Sequence, residues 1–251
     1  MKFKMRLASG FSFVHNALEG GYPIVEAIKA VADYVGEVVI VDMQSTDGTR
    51  EVLDKLGVRI LDGVWEPGTG GECLAKAHAM NTRCYNETII HFEADEVYDG
   101  NLICKLAHLV GLGIDDINVF RLQLEQNFQR CRWYPERVHR VFRRGSVNKV
   151  GHTTDRYEDA VTAGQDIGYL WDITNCFRDN WVGRVSNQAE LWGGYKNLIH
   201  VPAHITHPAD MLEPSVVNFL SEEHWVWRQT PFAIPPILLP LVGMTKYEVN
   251  L

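Results

Sequence analysis

The chain lacks the patterns that mark several large classes of protein. Its five cysteines (Cys73, Cys84, Cys104, Cys131 and Cys176) are scattered, odd in number and free of any CxxC spacing. That speaks against a disulfide framework or a zinc knuckle and for a reducing, cytoplasmic setting. No run of Lys and Arg occurs and the formal net charge is −8, so the electrostatic footprint of a nucleic-acid binder is missing. An acidic surface still admits a phosphorylated ligand, because a local metal ion inverts the charge of a site. Long apolar runs are missing as well. The segment MKFKMRLASGFSF is positively charged, but no apolar signal-peptide core follows it. The most apolar late stretch, residues 232–244, is broken by Pro235, Pro236 and Pro240 and is too short to span a bilayer. It is expected to pack on the core, or else to touch lipid or a partner. Neither an internal repeat nor a low-complexity tract is present.

What is present is an ordinary globular composition over 251 residues, 46% of them hydrophobic and 22% charged, enough for one sizeable core or two small ones. The first ~110 residues alternate strand and helix patterns, which argues for a mostly parallel sheet with covering helices. Residues 7–14 read as a strand running into His15 and Asn16, and residues 24–34 carry helical apolar spacing through Ile24, Ala27, Ile28, Val31 and Ala32. VVIVD at 38–42 is a continuous apolar run, hence a buried parallel strand. STDGTREVLDKLG opens with capping groups and closes on Gly57, bracketing a helix. A short strand at 59–61, the glycine-rich loop PGTGGE, a helix over 72–83, a strand through TIIHFEADE and a helix over 101–110 follow. The second half is less regular, with strands at 118–124 and 138–143 and a helix opening at 157–161. We expect one α/β domain over 1–200 and an extension over 201–251 that packs on it or contacts an acceptor or partner.

Ligands of open α/β sheets collect at the carboxyl ends of the strands. Three strand ends here carry polar groups out of a hydrophobic run: His15-Asn16, Asp42 and Glu93-Ala94-Asp95-Glu96. In an extended segment Glu93 and Asp95 point the same way. Two like charges that close repel unless something positive lies between them, and a hard divalent ion, Mg2+ or Mn2+, would do so with coordination left for phosphate oxygens. The plainer reading is a solvated acidic turn. Asp42 either accepts from a ring N–H of a base or caps the turn that follows. Asp47 reads as a helix cap, and Gly48 permits a tight backbone turn.

Taken together, FVHNALEGGYPIVEAIKAVADYVGEVVIVDMQSTDGT and IIHFEADEV resemble the family 2 glycosyltransferases. In that family a strand ends near an Asn and a helix follows. A second strand then ends in Asp before an S-x-D-G-T turn, and a further strand ends in D-x-D. WYPERVHRVFRRGSV is similar to an arginine-aromatic-arginine segment of members related to lipopolysaccharide-core glucosyltransferases. The resemblance implies the GT-A fold, a Rossmann-like mixed and mostly parallel sheet with flanking helices. It implies that Val14 and Asn16 line a nucleotide pocket and that Asp42 bonds a pyrimidine base. It also implies that Glu93 and Asp95, around Ala94, flank a diphosphate-bound Mn2+ or Mg2+, with Asp95 as the direct ligand. Glu93 stands where the family has Asp, and its extra methylene shifts its reach.

The same resemblance implies transfer from a UDP-sugar, UDP-glucose first among donors, to a glycan, lipid-linked or small-molecule acceptor. Inverting members need a carboxylate to take the acceptor's proton. In GHTTDRYEDAV the pair Glu158-Asp159 matches the family's E-D, which makes Asp159 the expected base and Asp155 the next choice. The same acids also suit a polar loop at a helix start, where the macrodipole favours them. Arg140, Arg143 and Arg144 are candidates to meet the diphosphate or acceptor. A sugar nucleotidyltransferase shares the sheet and metal logic but needs a GGxGTRL-like loop where HNALEGG stands. A non-catalytic nucleotide-sugar or glycan-binding module is the third reading. PGTGGECLAK lacks the ending of a P-loop, and His204 and His207 have no Glu between them for a zinc hydrolase.

Overall fold

A computed structural model describes residues 5–125, 130–132, 136–146, 160–164, 168–175, 190–191, 227–229, 234–242, 244 and 246–249. The chain starts as strand–helix–strand units: β1 (Met5–Val14), α1 (Ile24–Ala32), β2 (Val35–Asp42), α2 (Thr49–Leu56) and β3 (Arg59–Asp62). A nine-residue helix such as α1 is marginal in isolation. It forms here because Ile24, Val25, Ala27, Ile28, Ala30 and Val31 are buried against the sheet, and each large side chain among them contributes about 1.5–3 kcal/mol on burial. Gly10 of β1 permits the close approach, since a Cβ there would stand 3.0 Å from Val31 Cγ1. Gly57 ends α2 at φ +67°, a left-handed conformation that glycine adopts without strain.

The glycine-rich loop leads into α3 (Gly71–Ala79) and a 3-10 turn (Met80–Arg83), then β4 (Thr88–His91), β5 (Glu96–Tyr98) and α4 (Gly100–Gly111). The rest is strand: β6 (Ile117–Glu125), β7 (Arg130–Arg132), β8 (Glu136–Arg143), β9 (Val161–Thr162), β10 (Leu170–Asn175) and β11 (Trp227–Gln229). One mixed sheet runs β11-β7-β6-β8-β4-β1-β2-β3, with β9 and β10 also paired to β6 and β5 paired to β10. The β4-β1-β2-β3 portion is parallel, as the apolar runs predict, and β8 joins β4 antiparallel. The α/β fold expected from the sequence, a mixed sheet with flanking helices, is the fold observed.

Two layers of core follow from strand alternation. Ala8, Val14, Val38, Ile40 and Ile90 turn to the face carrying α1, α2 and α4, whereas Phe11, Val39, Val41, Ile89 and Phe142 turn to the face carrying α3. Leu238, Leu241 and Tyr247 belong to the first of these layers, and the Tyr247 hydroxyl donates to Glu26 Oε2 at 2.8 Å. Among the described residues no helix is long and apolar enough to cross a membrane.

Two local expectations change. The strand through TIIHFEADE stops at His91, and the chain then turns, with Glu96 N–H donating to Glu93 O at 3.0 Å. Residues 161–162 form a strand parallel to β6 instead of continuing a helix, and 157–159 lie outside the described residues.

Candidate active site at the carboxyl edge of the parallel strands

Because β1, β2, β3 and β4 run parallel, their carboxyl ends share one edge of the sheet. Val14 pairs with Asp42, Asp42 with Asp62, and Phe11 with His91, so β1 lies between the β2 end and the turn after β4. Val14 is buried, and its carbonyl accepts from Met43 N–H at 2.8 Å. Asn16 follows at φ +47°, a conformation Asn tolerates better than most residues. Its backbone N–H donates to Ser45 Oγ at 2.9 Å and its side-chain oxygen accepts from Thr46 N–H at 2.8 Å. The β1 loop is thereby tied to the β2 loop.

Asp42 is 3% exposed, and its two oxygens are engaged: Oδ1 accepts from Ser45 N–H at 3.1 Å and Oδ2 faces Arg50 Nη1 at 3.3 Å. The same Arg50 nitrogen reaches Asp62 at 2.6 Å, bridging two neighbouring strand ends. Asp47 caps, as its place in the sequence predicts. Its Oδ1 accepts from Thr49 N–H and Oγ1, and its Oδ2 accepts from Glu19 N–H. His15 stacks on Trp65 with ring centroids 3.9 Å apart and planes 8° from parallel, while its Nδ1 lies 2.6 Å from Met43 O. Trp65 was not legible as a site residue. It is carried to the strand edge by the loop after β3, and only that topology brings it beside His15.

The acidic turn has a different environment from the one its spacing predicts. Glu96 is fully buried and is gripped by Arg140, Nε to Oε2 at 2.9 Å and Nη2 to Oε1 at 2.6 Å. Arg140 Nη2 also meets Glu93 Oε1 at 3.1 Å, and Arg121 Nη1 stands 3.4 Å from Glu96 Oε1. Glu96 Oε2 accepts from Glu93 N–H at 3.1 Å. A positive charge does sit against the paired carboxylates, but it is a guanidinium, and the pair it joins is Glu93 and Glu96. Burial disfavours the Arg140 cation, and the Glu96 and Glu93 carboxylates more than offset this, so its pKa is raised. Asp95, half-buried in the turn, accepts from Ile173 N–H through its backbone carbonyl at 3.0 Å, and Ala94 is buried. Of the other two arginines, Arg143 pairs with Asp115 and Arg144 donates to Cys84 O at 2.8 Å.

Behind the turn, His91 of β4 and His78 of α3 lie with ring centroids 5.4 Å apart, among Phe11, Phe13 and Phe142. Burial, and then the Arg140 charge, lowers the His78 pKa to about 4 and holds His91 well below its ordinary value. Both are neutral near pH 7. Asp155, Glu158 and Asp159 lie outside the described residues, as do His204 and His207. Among the described residues, no group of three or more His, Cys, Asp and Glu side chains is arranged to hold a metal ion.

No protein-family model matches the chain. It is similar to an uncharacterized glycosyltransferase of Rickettsia felis, 22% identical over 156 residues that make up 60% of this chain and 53% of that protein. The chain spans about half the length of the curated relatives it matches. Among solved structures it is similar to S. aureus TarS 1-349 in complex with UDP-GlcNAc, at 17% identity and a TM-score of 0.37, covering 47% of this chain and 35% of that one. It is also similar to glucosyl-3-phosphoglycerate synthase from Mycobacterium tuberculosis in complex with Mn2+, UDP and glucosyl-3-phosphoglycerate. There the identity is 20% and the TM-score 0.34, covering 46% of this chain and 44% of that one.

Proposed function

We propose that this protein is a glycosyltransferase that moves a sugar from a nucleoside diphosphate donor, UDP-glucose first among candidates, to an acceptor hydroxyl with inversion. The observation that carries the reading is the gathering of Asn16, Asp42 and the Glu93–Glu96 turn on one edge of the parallel strands. That edge is where nucleotide ligands of such sheets bind, and the names of the Rickettsia relatives support the same chemistry.

The residues take the following parts. The hydrogen-bonded loops after β1 and β2 hold Val14, Asn16 and Asp42 rigid before a ligand arrives, which limits the ordering entropy of binding. Asp42 accepts from the base N–H. A divalent cation, Mn2+ or Mg2+, would rest on the Asp95 carboxylate, because such ions bind through one or two carboxylates and complete their shell with substrate phosphates. When bound, it neutralises charge on the departing diphosphate. Asp159, with Glu158 and Asp155 as the neighbouring carboxylates, takes the acceptor proton.

Incubation with UDP-glucose, UDP-galactose, UDP-GlcNAc or GDP-mannose and Mn2+ should release the nucleoside diphosphate. Neither release nor calorimetric binding of any donor would remove the proposal.

A further inference from the structure

The register of β8 contains an irregularity with a chemical use. Ile117 pairs with Val141 and Asn118 with His139, so Arg140 is the extra residue of a bulge against β6. Bulges re-aim side chains. Here the re-aimed guanidinium enters the space below the β4–β5 turn, where it is 0% exposed and holds Glu96 with two prongs and Glu93 with one. The turn is also closed from within by two hydrogen bonds, Glu96 N–H to Glu93 O and Glu93 N–H to Glu96 Oε2. Five contacts thus converge on Glu93 and Glu96, two residues that bracket Asp95. Glu93 Oε1 faces a fixed positive charge.

Resting on the glycosyl-transfer reading, we propose that Arg140 is a positioning residue: it locks the Glu93–Glu96 turn and holds Glu93 back from the metal, so that cation affinity runs through Asp95. Glu96 is the buried anchor of that lock. The length of the Glu93 side chain then has a physical role. The side chain reaches down to the guanidinium, and the ligand function falls to the other carboxylate of the turn.

The test uses the full chain as the parent, as Glu93→Gln, as Asp95→Asn and as the paired variant Arg140→Met with Glu96→Leu. The paired change removes both buried charges together, which preserves folding far better than removing one. Three readouts are taken: Mn2+ uptake in the presence of UDP, hydrogen exchange of the peptide over 92–97, and turnover. Asp95→Asn should weaken Mn2+ uptake by about tenfold or more, and Glu93→Gln by no more than about twofold. The paired variant should fold, exchange the 92–97 amides roughly tenfold faster, and lose about tenfold in kcat with donor KM little changed. Equal losses in Glu93→Gln and Asp95→Asn would overturn the proposal. So would a paired variant with slow exchange and full turnover, because Arg140 would then be only a structural filler. If the paired variant does not fold, Arg140→Lys, which keeps the buried positive charge but not the two-pronged grip, supplies the exchange comparison. A parent that takes up no Mn2+ with UDP overturns the assignment of cation affinity to Asp95, while the exchange data still decide whether Arg140 locks the turn; a parent that binds no donor at all ends the glycosyl-transfer reading.

Discussion

Arg140 and Glu96 meet as a two-pronged ion pair in which neither side chain reaches solvent. Buried pairs add little over an apolar replacement of the same shape, yet breaking one leaves an uncompensated charge. Arg140→Met alone should therefore destabilise the protein by roughly 3–5 kcal/mol. Urea denaturation with an unchanged m-value would measure it. A loss below about 1 kcal/mol would mean that water or another cation reaches Glu96 easily.

Metal removal gives the most direct test of Asp95. A chelator should stop nucleoside diphosphate release, and added Mn2+ should restore it. Asp95→Asn should lower kcat/KM by about a hundredfold or more even at saturating Mn2+. Full activity after chelation would exclude a required cation.

On the proposed reading Asp42 meets the base and not the reacting bond, so its contribution should appear in binding. Asp42→Ala should raise donor KM by about tenfold while changing kcat less, since a base contact is equally present in ground and transition states. Thermal melts are needed alongside, because Ser45 and Arg50 lose a partner in the same variant. A fall in kcat with KM unchanged would argue against base recognition.

The neutral His78 imparts a pH dependence with a definite sign. Its folded pKa is lowered from 6.5 to about 4, so between those values the unfolded chain binds a proton that the folded chain does not. Stability then falls as pH drops from about 6.5 toward 4, by about 1 kcal/mol per pH unit for this group. His78→Phe, placed among Phe11, Phe13 and Phe142, should flatten that part of the acid limb. Urea titrations at pH 7, 6 and 5 check it, and an unchanged slope would mean that the imidazole is already charged or hydrated in the native protein.

The first half of the fold was legible because its signals are local. VVIVD could only be a strand buried on both faces, and Gly57 could only close a helix, since each signal is complete within a few residues. Asp47 as a cap and Asp42 at a strand end were readable for the same reason. What escaped was non-local. The strand through FEADE looks continuous, but Arg140, arriving from a bulge forty-odd residues downstream, bends it into a turn. No periodicity rule announces a bulge. Short pairings such as β9 on β6 and β11 on β7 leave similarly little trace in strands of two and three residues.

The order of the sheet has a consequence for fragments of the chain. β4 receives its outer neighbour from β8, and among the described residues β5 is paired with β10 alone. A truncation after α4 would keep every strand–helix unit of the parallel half and still leave two open, hydrogen-bond-hungry ladders and a stranded Glu96. Such a fragment should self-associate or be held by chaperones instead of standing alone, so the two halves of this protein are expected to be inherited, expressed and engineered as one unit.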